Sequence, residues 1–162
     1  MASQMALKKP ERLHKVILMS PSATIQKISL KFIVRVILTL INKRYYAKFF
    51  HWIFEDYTKG PKYDQNELEY IISESILNAE CFKPFDLVVP TVLSDDELNQ
   101  FKIPVLFMVG ENDKSFSIKK AVRRLELKAP HINVEILENA GHGMIIAKPD
   151  KVNAIIVHFL SK

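Results

Sequence analysis

The chain of 162 residues has one cysteine, four glycines and, between Glu11 and Glu55, no acidic residue at all. The single Cys81 excludes an internal disulfide framework. No charged-then-apolar N-terminal segment ends in a small-residue cleavage site, so a reducing, cytoplasmic setting is the expectation. The five histidines, His14, His51, His131, His142 and His158, form neither an H-x-x-x-H pair nor a cluster with cysteine, and no metal site is expected. A glycine-rich phosphate loop is also missing, and no cofactor is expected. The longest apolar run, Ile28 to Ile41, is interrupted by Lys31 and Arg35 and falls short of the ~20 residues a bilayer span needs.

What is present suffices for a globular domain, since 48% of the residues are apolar. The net charge of +5 is unevenly spread. Up to Phe54 there are ten Lys or Arg against one acid, and beyond it thirteen against seventeen. A basic front half can serve nucleic acid or anionic lipid. No recognition module accompanies the charge, so nucleic acid is not an expected partner, and a solvated surface is the favoured explanation.

Three segments read as buried strands: Lys15 to Ser20, Pro104 to Val109 and Asn133 to Leu137. The first two are nearly continuous apolar runs, as in parallel strands covered on both faces, and the third alternates more. Helical patterns run from Ser115 to Lys128 and from Pro149 to Leu160, with Pro149 suited to a first helical position. Strand, helix, strand, helix from Pro104 onward implies a right-handed parallel α/β layer.

From Ala23 to Phe101 the pattern is helical. Lys27, Lys31, Arg35, Thr39 and Lys43 recur every four residues among apolar neighbours, which gives a helix with one basic stripe and an otherwise apolar circumference. Burial against the rest of the domain is the expectation for it, with an interfacial membrane helix as the alternative. The aromatic cluster Tyr45, Tyr46, Phe49, Phe50, Trp52, Phe54 and Tyr57 suits either the packing face of a small cap or the lining of an apolar pocket. Gln65 to Ala79 has helical spacing, and Ser94 with Glu97 matches a capping box.

Two loops could carry chemistry. Gly110-Glu111-Asn112-Asp113 places a carboxylate just past a strand end, in the crevice where open α/β sheets hold ligands. On its own Asp113 reads first as a turn or helix-capping aspartate. Asn139-Ala140-Gly141-His142-Gly143 holds a histidine between glycines, whose backbone can take positive φ and approach neighbours closely. Both loops follow strands that adjoin in this reading, and acid before histidine is the order a Ser-His-Asp relay needs: the carboxylate accepts the imidazole Nδ1–H while Nε2 takes the nucleophile's proton.

These motifs resemble those of the α/β-hydrolases related to carboxylesterases, proline iminopeptidases and carbon-carbon bond hydrolases. Ile103 to Asp113 is similar to that family's penultimate strand and acid turn. Glu138 to Gly143, followed by Lys148 to Asn153 and His158 to Leu160, is similar to its histidine loop and final helix. Pro10 to Leu13 leading into Lys15 to Pro21 is similar to the helix end and strand that follow its nucleophile elbow. The resemblance implies a truncated α/β-hydrolase: residues 1–22 as the start of the core, 23–101 as a helical cap or lid, and 102–162 as the C-terminal core with catalytic Asp113 and His142.

No Gly-x-Ser-x-Gly occurs in the sequence. In register with the family, Ala2 to Leu7 is the body of the helix leaving the elbow, so Ser3 is not the nucleophile and none is expected in this chain. Ser20 and Ser22 are the only other serines near a strand end, and they lack flanking glycines. A truncated gene product or internal-start fragment is the expectation. The resemblance implies a serine hydrolase of small ester or amide-like molecules, with the isolated chain inactive. The alternative is a non-catalytic fragment that binds a partner chain, a membrane surface or its own copy through an exposed edge of the Lys15 strand. Ile33, Phe49 and Trp52 hint at an apolar acyl or aromatic substrate group.

Overall fold

The computed structural model describes residues 2–82 and 91–162, and the part of the expected helical insertion at 83–90 lies outside the described residues. Helix α1 (Ala2–Lys8) and a 3-10 turn at Pro10–Arg12 lead into strand β1 (Val16–Met19). Five helices follow: α2 (Leu30–Ile41), α3 (Arg44–Ile53), α4 (Glu55–Thr58), α5 (Gln65–Cys81) and α6 (Asp95–Asn99). The chain then alternates β2 (Val105–Gly110), α7 (Ile118–Lys128), β3 (Asn133–Leu137), α8 (Met144–Ala147) and α9 (Pro149–Ser161).

The strands make one parallel sheet in the order β1-β2-β3, with Val16 opposite Val105 and Leu106 opposite Asn133. The α/β class read from the sequence is therefore the one observed. Alternate residues of β2 point to opposite faces. Val105, Phe107 and Val109 pack with Ala6 of α1, Leu98 of α6 and Leu125 of α7, while Leu106 and Met108 pack with Val152 and Phe159 of α9. Both faces are covered, which is why β2 has no polar residue along its length.

Strand β3 departs from the expectation of burial, whereas β1 keeps Val16 and Leu18 buried. In β3 only Leu137 is buried, and Asn133, Glu135 and Ile136 are exposed. Among the described residues β3 is a sheet edge, with Val134 half-buried against the core and Leu137 buried. Among the described residues β1 also has a neighbour on one side only. Helix α7 starts at Ile118 rather than near Ser115, because Ser115 is spent on hydrogen bonds to Asp113 and Phe116 on an antiparallel bridge to Ile28.

Helix α2 departs further. Its inward side is Phe32, Arg35, Val36 and Thr39, whereas Leu30, Ile33, Val34, Ile37, Leu40 and Ile41 are exposed. The expected burial of the apolar face is thus corrected. Two anchors set this rotation. Ser29 donates from Oγ to the Lys114 carbonyl at 3.0 Å and from its backbone N–H to the Ser115 carbonyl at 2.8 Å. The Arg35 guanidinium lies 4.5 Å over the Trp52 ring, a cation-π contact that needs Arg35 on the inner side.

Arg124 of α7 ties both ends of the helical segment to the sheet layer. It donates to the carbonyls of Ile25 and Leu93, each at 2.6 Å, and to Asp95 Oδ1 at 2.9 Å. Asp95 sits in the first turn of α6, which carries the Ser94/Glu97 capping box read from the sequence.

The burial contrast between β2 and β3 predicts a stability contrast. Phe107→Ala should cost roughly 3–5 kcal/mol by urea denaturation, and Ile136→Ala on the exposed edge under about 1 kcal/mol. Equal costs would contradict the assignment of β2 as the covered strand.

Candidate active site

The acid turn and the histidine loop are zipped together by backbone. Glu111 N–H donates to the Leu137 carbonyl and Asn112 N–H to the Ala140 carbonyl, both at 2.9 Å. Asn139 N–H in turn donates to Glu111 Oε2 at 3.0 Å. A Cβ on Gly110 would stand 2.4 Å from the carbonyl oxygens of Ala140 and Gly141, so glycine is needed for steric closeness.

Steric closeness is also what the loop glycines supply. None of the four glycines has positive φ, contrary to the reading of a loop freed by left-handed glycine; Asn139 takes that conformation instead, at φ 50°. A Cβ on Gly141 would meet the Asp56 carboxylate at 2.6 Å, and one on Gly143 the Phe54 ring at 2.5 Å. The helical segment thus sits directly on the histidine loop. Asn112 Nδ2 adds a 3.1 Å hydrogen bond to Asp56 Oδ1.

Asp113 and His142 meet at this junction, with His142 Nδ1 2.9 Å from Asp113 Oδ2. The Asp113 side chain is fully buried, while that of His142 keeps 29% exposure. The other carboxylate oxygen, Oδ1, accepts from the Ser115 N–H at 2.8 Å and the Ser115 Oγ–H at 2.6 Å. Burial raises the Asp113 pKa, but His142 and Ser115 outweigh it and hold the group below its ordinary value. An ionised carboxylate only accepts, so Nδ1 carries the imidazole proton. The two sequence readings of Asp113 are compatible: it closes an aspartate turn through Ser115 and orients His142 with its second oxygen.

Sequence reasoning missed Ser115, although aspartate two residues before serine is a recognisable turn signal. It also missed Phe32, whose ring centroid lies 6.4 Å from that of His142. The aromatic cluster divides by helix face. Phe49 and Trp52 group with Phe32 at centroid distances of 5.5 and 6.5 Å, whereas Tyr46, Phe50, Phe54 and Tyr57 pack with Leu68 and Ile72 of α5. Ile33 points away from this group, so Phe32 takes the place expected of it. Lys114 fastens the group from below, donating to the Trp52 carbonyl at 2.9 Å and pairing with Glu55. Hydrogen bonds from Lys114 and Lys59 hold the Glu55 carboxyl down at about 2.

Ser20 stands at the strand end beside β2, where its N–H donates to the Met108 carbonyl at 2.8 Å. It ends β1 with φ 42°, and its buried Oγ finds no partner among the described residues. The residue after it is Pro21, which has no N–H to give to an oxyanion. Ser20 therefore lacks the donor that a serine nucleophile receives from its successor. Among the described residues no cluster of three or more His, Cys, Asp or Glu could hold a metal ion.

Carboxylesterase YbfK of Bacillus subtilis (strain 168) is 30% identical to the chain over 113 residues, 65% of this chain and 38% of that protein. The crystal structures of carboxylesterase CesB (YbfK) and naproxen esterase (carboxylesterase NP), both from Bacillus subtilis, match with TM-scores of 0.78 and 0.80. Their identities are 26% and 25%, over 98% of this chain and 55% of each of theirs. The chain has the α/β-hydrolase fold over the part that aligns. It spans about half the length of these solved α/β-hydrolases and 38% of the curated relative. No family model matches it.

The lowered Asp113 pKa fixes the sign of one pH effect. A depressed carboxylate contributes stability that is present above its unfolded pKa and lost as pH falls through the folded one, here from about pH 4 downward. Asp113→Asn should therefore lower stability at neutral pH and flatten the acid limb in urea titrations run from pH 7 to pH 3. An acid limb as steep as that of the unmodified chain would contradict this.

Proposed function

We propose that Asp113 and His142 are the acid and base of a serine-hydrolase site acting on small ester or amide-like substrates, and that the nucleophile is not supplied by this chain. The 2.9 Å contact between His142 Nδ1 and a fully buried Asp113 supports this reading most directly. In the relay, Asp113 fixes the tautomer and steadies the imidazolium, and Nε2 takes the proton of an attacking serine. The relatives named carboxylesterases support the ester class. Residues 23–101 then act as the cap, whose Phe32, Phe49 and Trp52 favour an apolar acyl or aromatic group next to His142.

With no serine for His142 to deprotonate, the isolated chain is inactive on this reading. It should neither hydrolyse p-nitrophenyl esters above the rate of His142→Ala nor take up a fluorophosphonate probe. Labelling that maps to Ser20 or Ser22 would overturn the assignment.

A second reading rests on β1, whose outer edge has no neighbour strand among the described residues and whose Met19 is 39% exposed. On this reading the fragment is non-catalytic and associates with a copy of itself or another chain by strand pairing.

A further inference from the structure

Helix α2 carries its most apolar stripe on the outside. Leu30, Ile33, Val34, Ile37, Leu40 and Ile41 lie at positions i, i+3, i+4, i+7, i+10 and i+11, one continuous face. Their exposures run from 40% at Ile33 to 76% at Leu30. A soluble surface rarely leaves such a patch open without use. Beside the stripe, between α2 and α3, runs a groove of about 530 Å³ floored by Leu30, Val34, Leu38 and Phe49 and rimmed by Lys31, Arg35 and Lys48.

The charge that α2 and α3 bring to this face is of one sign. Lys27, Lys31, Lys43, Arg44 and Lys48 are all exposed, and no acid occurs from Arg12 to Phe54. Lys43 alone of these is paired with a carboxylate among the described residues, Glu80. A symmetric dimer would bring this patch against itself and set the two cationic rims face to face. An anionic bilayer surface offers the complement of both features, acyl chains for the stripe and phosphates for the rim. Among the described residues no helix is long and apolar enough to cross a membrane, so the contact is one of lying on the surface.

We infer that the outer face of α2, with the groove it shares with α3, docks on an anionic lipid surface. The helix lies in the plane of the interface, with Leu30, Ile37 and Leu40 in the boundary between headgroups and acyl chains. Lys27, Lys31 and Lys48 contact the lipid phosphates. This inference is independent of the hydrolase reading, and its test has no activity readout.

Sedimentation with phosphatidylcholine vesicles, with and without phosphatidylglycerol, tests it on the full chain. The chain should pellet with the anionic vesicles, far less with the neutral ones, and be released by salt. Leu40→Glu and the double variant Lys27→Glu, Lys48→Glu should each lower the bound fraction roughly tenfold. Circular dichroism of these surface variants should remain that of the unmodified chain. A chain that stays in the supernatant, or binding that Leu40→Glu leaves unchanged, overturns the inference. So does self-association in the absence of lipid that Leu40→Glu abolishes, which would assign the face to a second copy.

Discussion

The Asp113 carboxylate is the group on which the architecture of this chain turns. A buried carboxylate is costly unless its oxygens are paired, and here Oδ1 takes two donors from Ser115 while Oδ2 takes the His142 imidazole. Satisfying it fixes three segments together. Ser115 is held in the turn, the Lys114 and Ser115 carbonyls receive Ser29 at the start of α2, and His142 is held against the end of β2. The close approach at Gly110, where any Cβ would strike two carbonyl oxygens, lets the histidine loop come near enough to close the arrangement.

The helical segment follows from that junction. Ser29 sets where α2 begins, and Arg35 over Trp52 sets which side faces in. Phe32 is then carried to His142, and the apolar stripe of α2 is carried outward. Lys114 acts on both sides of the junction, following Asp113 in sequence and holding the Trp52 carbonyl and Glu55 in space. One local arrangement therefore shapes the candidate site and also exposes the acid-free surface of α2.

Much of the core could be read in the sequence because β2 and its flanking helices obey simple periodicities. A run of six apolar residues means two covered faces, and Pro149 marked the start of α9. Asp113 and His142 were visible because each stands just beyond a strand end. Two features were out of reach for physical reasons. The rotation of α2 depends on contacts with Ser115 and Trp52, far along the chain, so an apolar circumference suggested burial where the structure has exposure. The role of the loop glycines could not be separated into conformational freedom and steric clearance until the neighbours Asp56 and Phe54 were placed. Ser115 was legible in principle through its aspartate-turn spacing, yet only the fold showed that the same carboxylate also serves His142.

The most direct measurement is the tautomeric state of His142 by 15N chemical shifts at neutral pH. If the Asp113 carboxylate organises the site, Nδ1 carries the proton in the unmodified chain, and Asp113→Asn shifts the population toward the Nε2–H form. An imidazole protonated at Nε2 in the unmodified chain, or a tautomer ratio unaffected by Asp113→Asn, would contradict it.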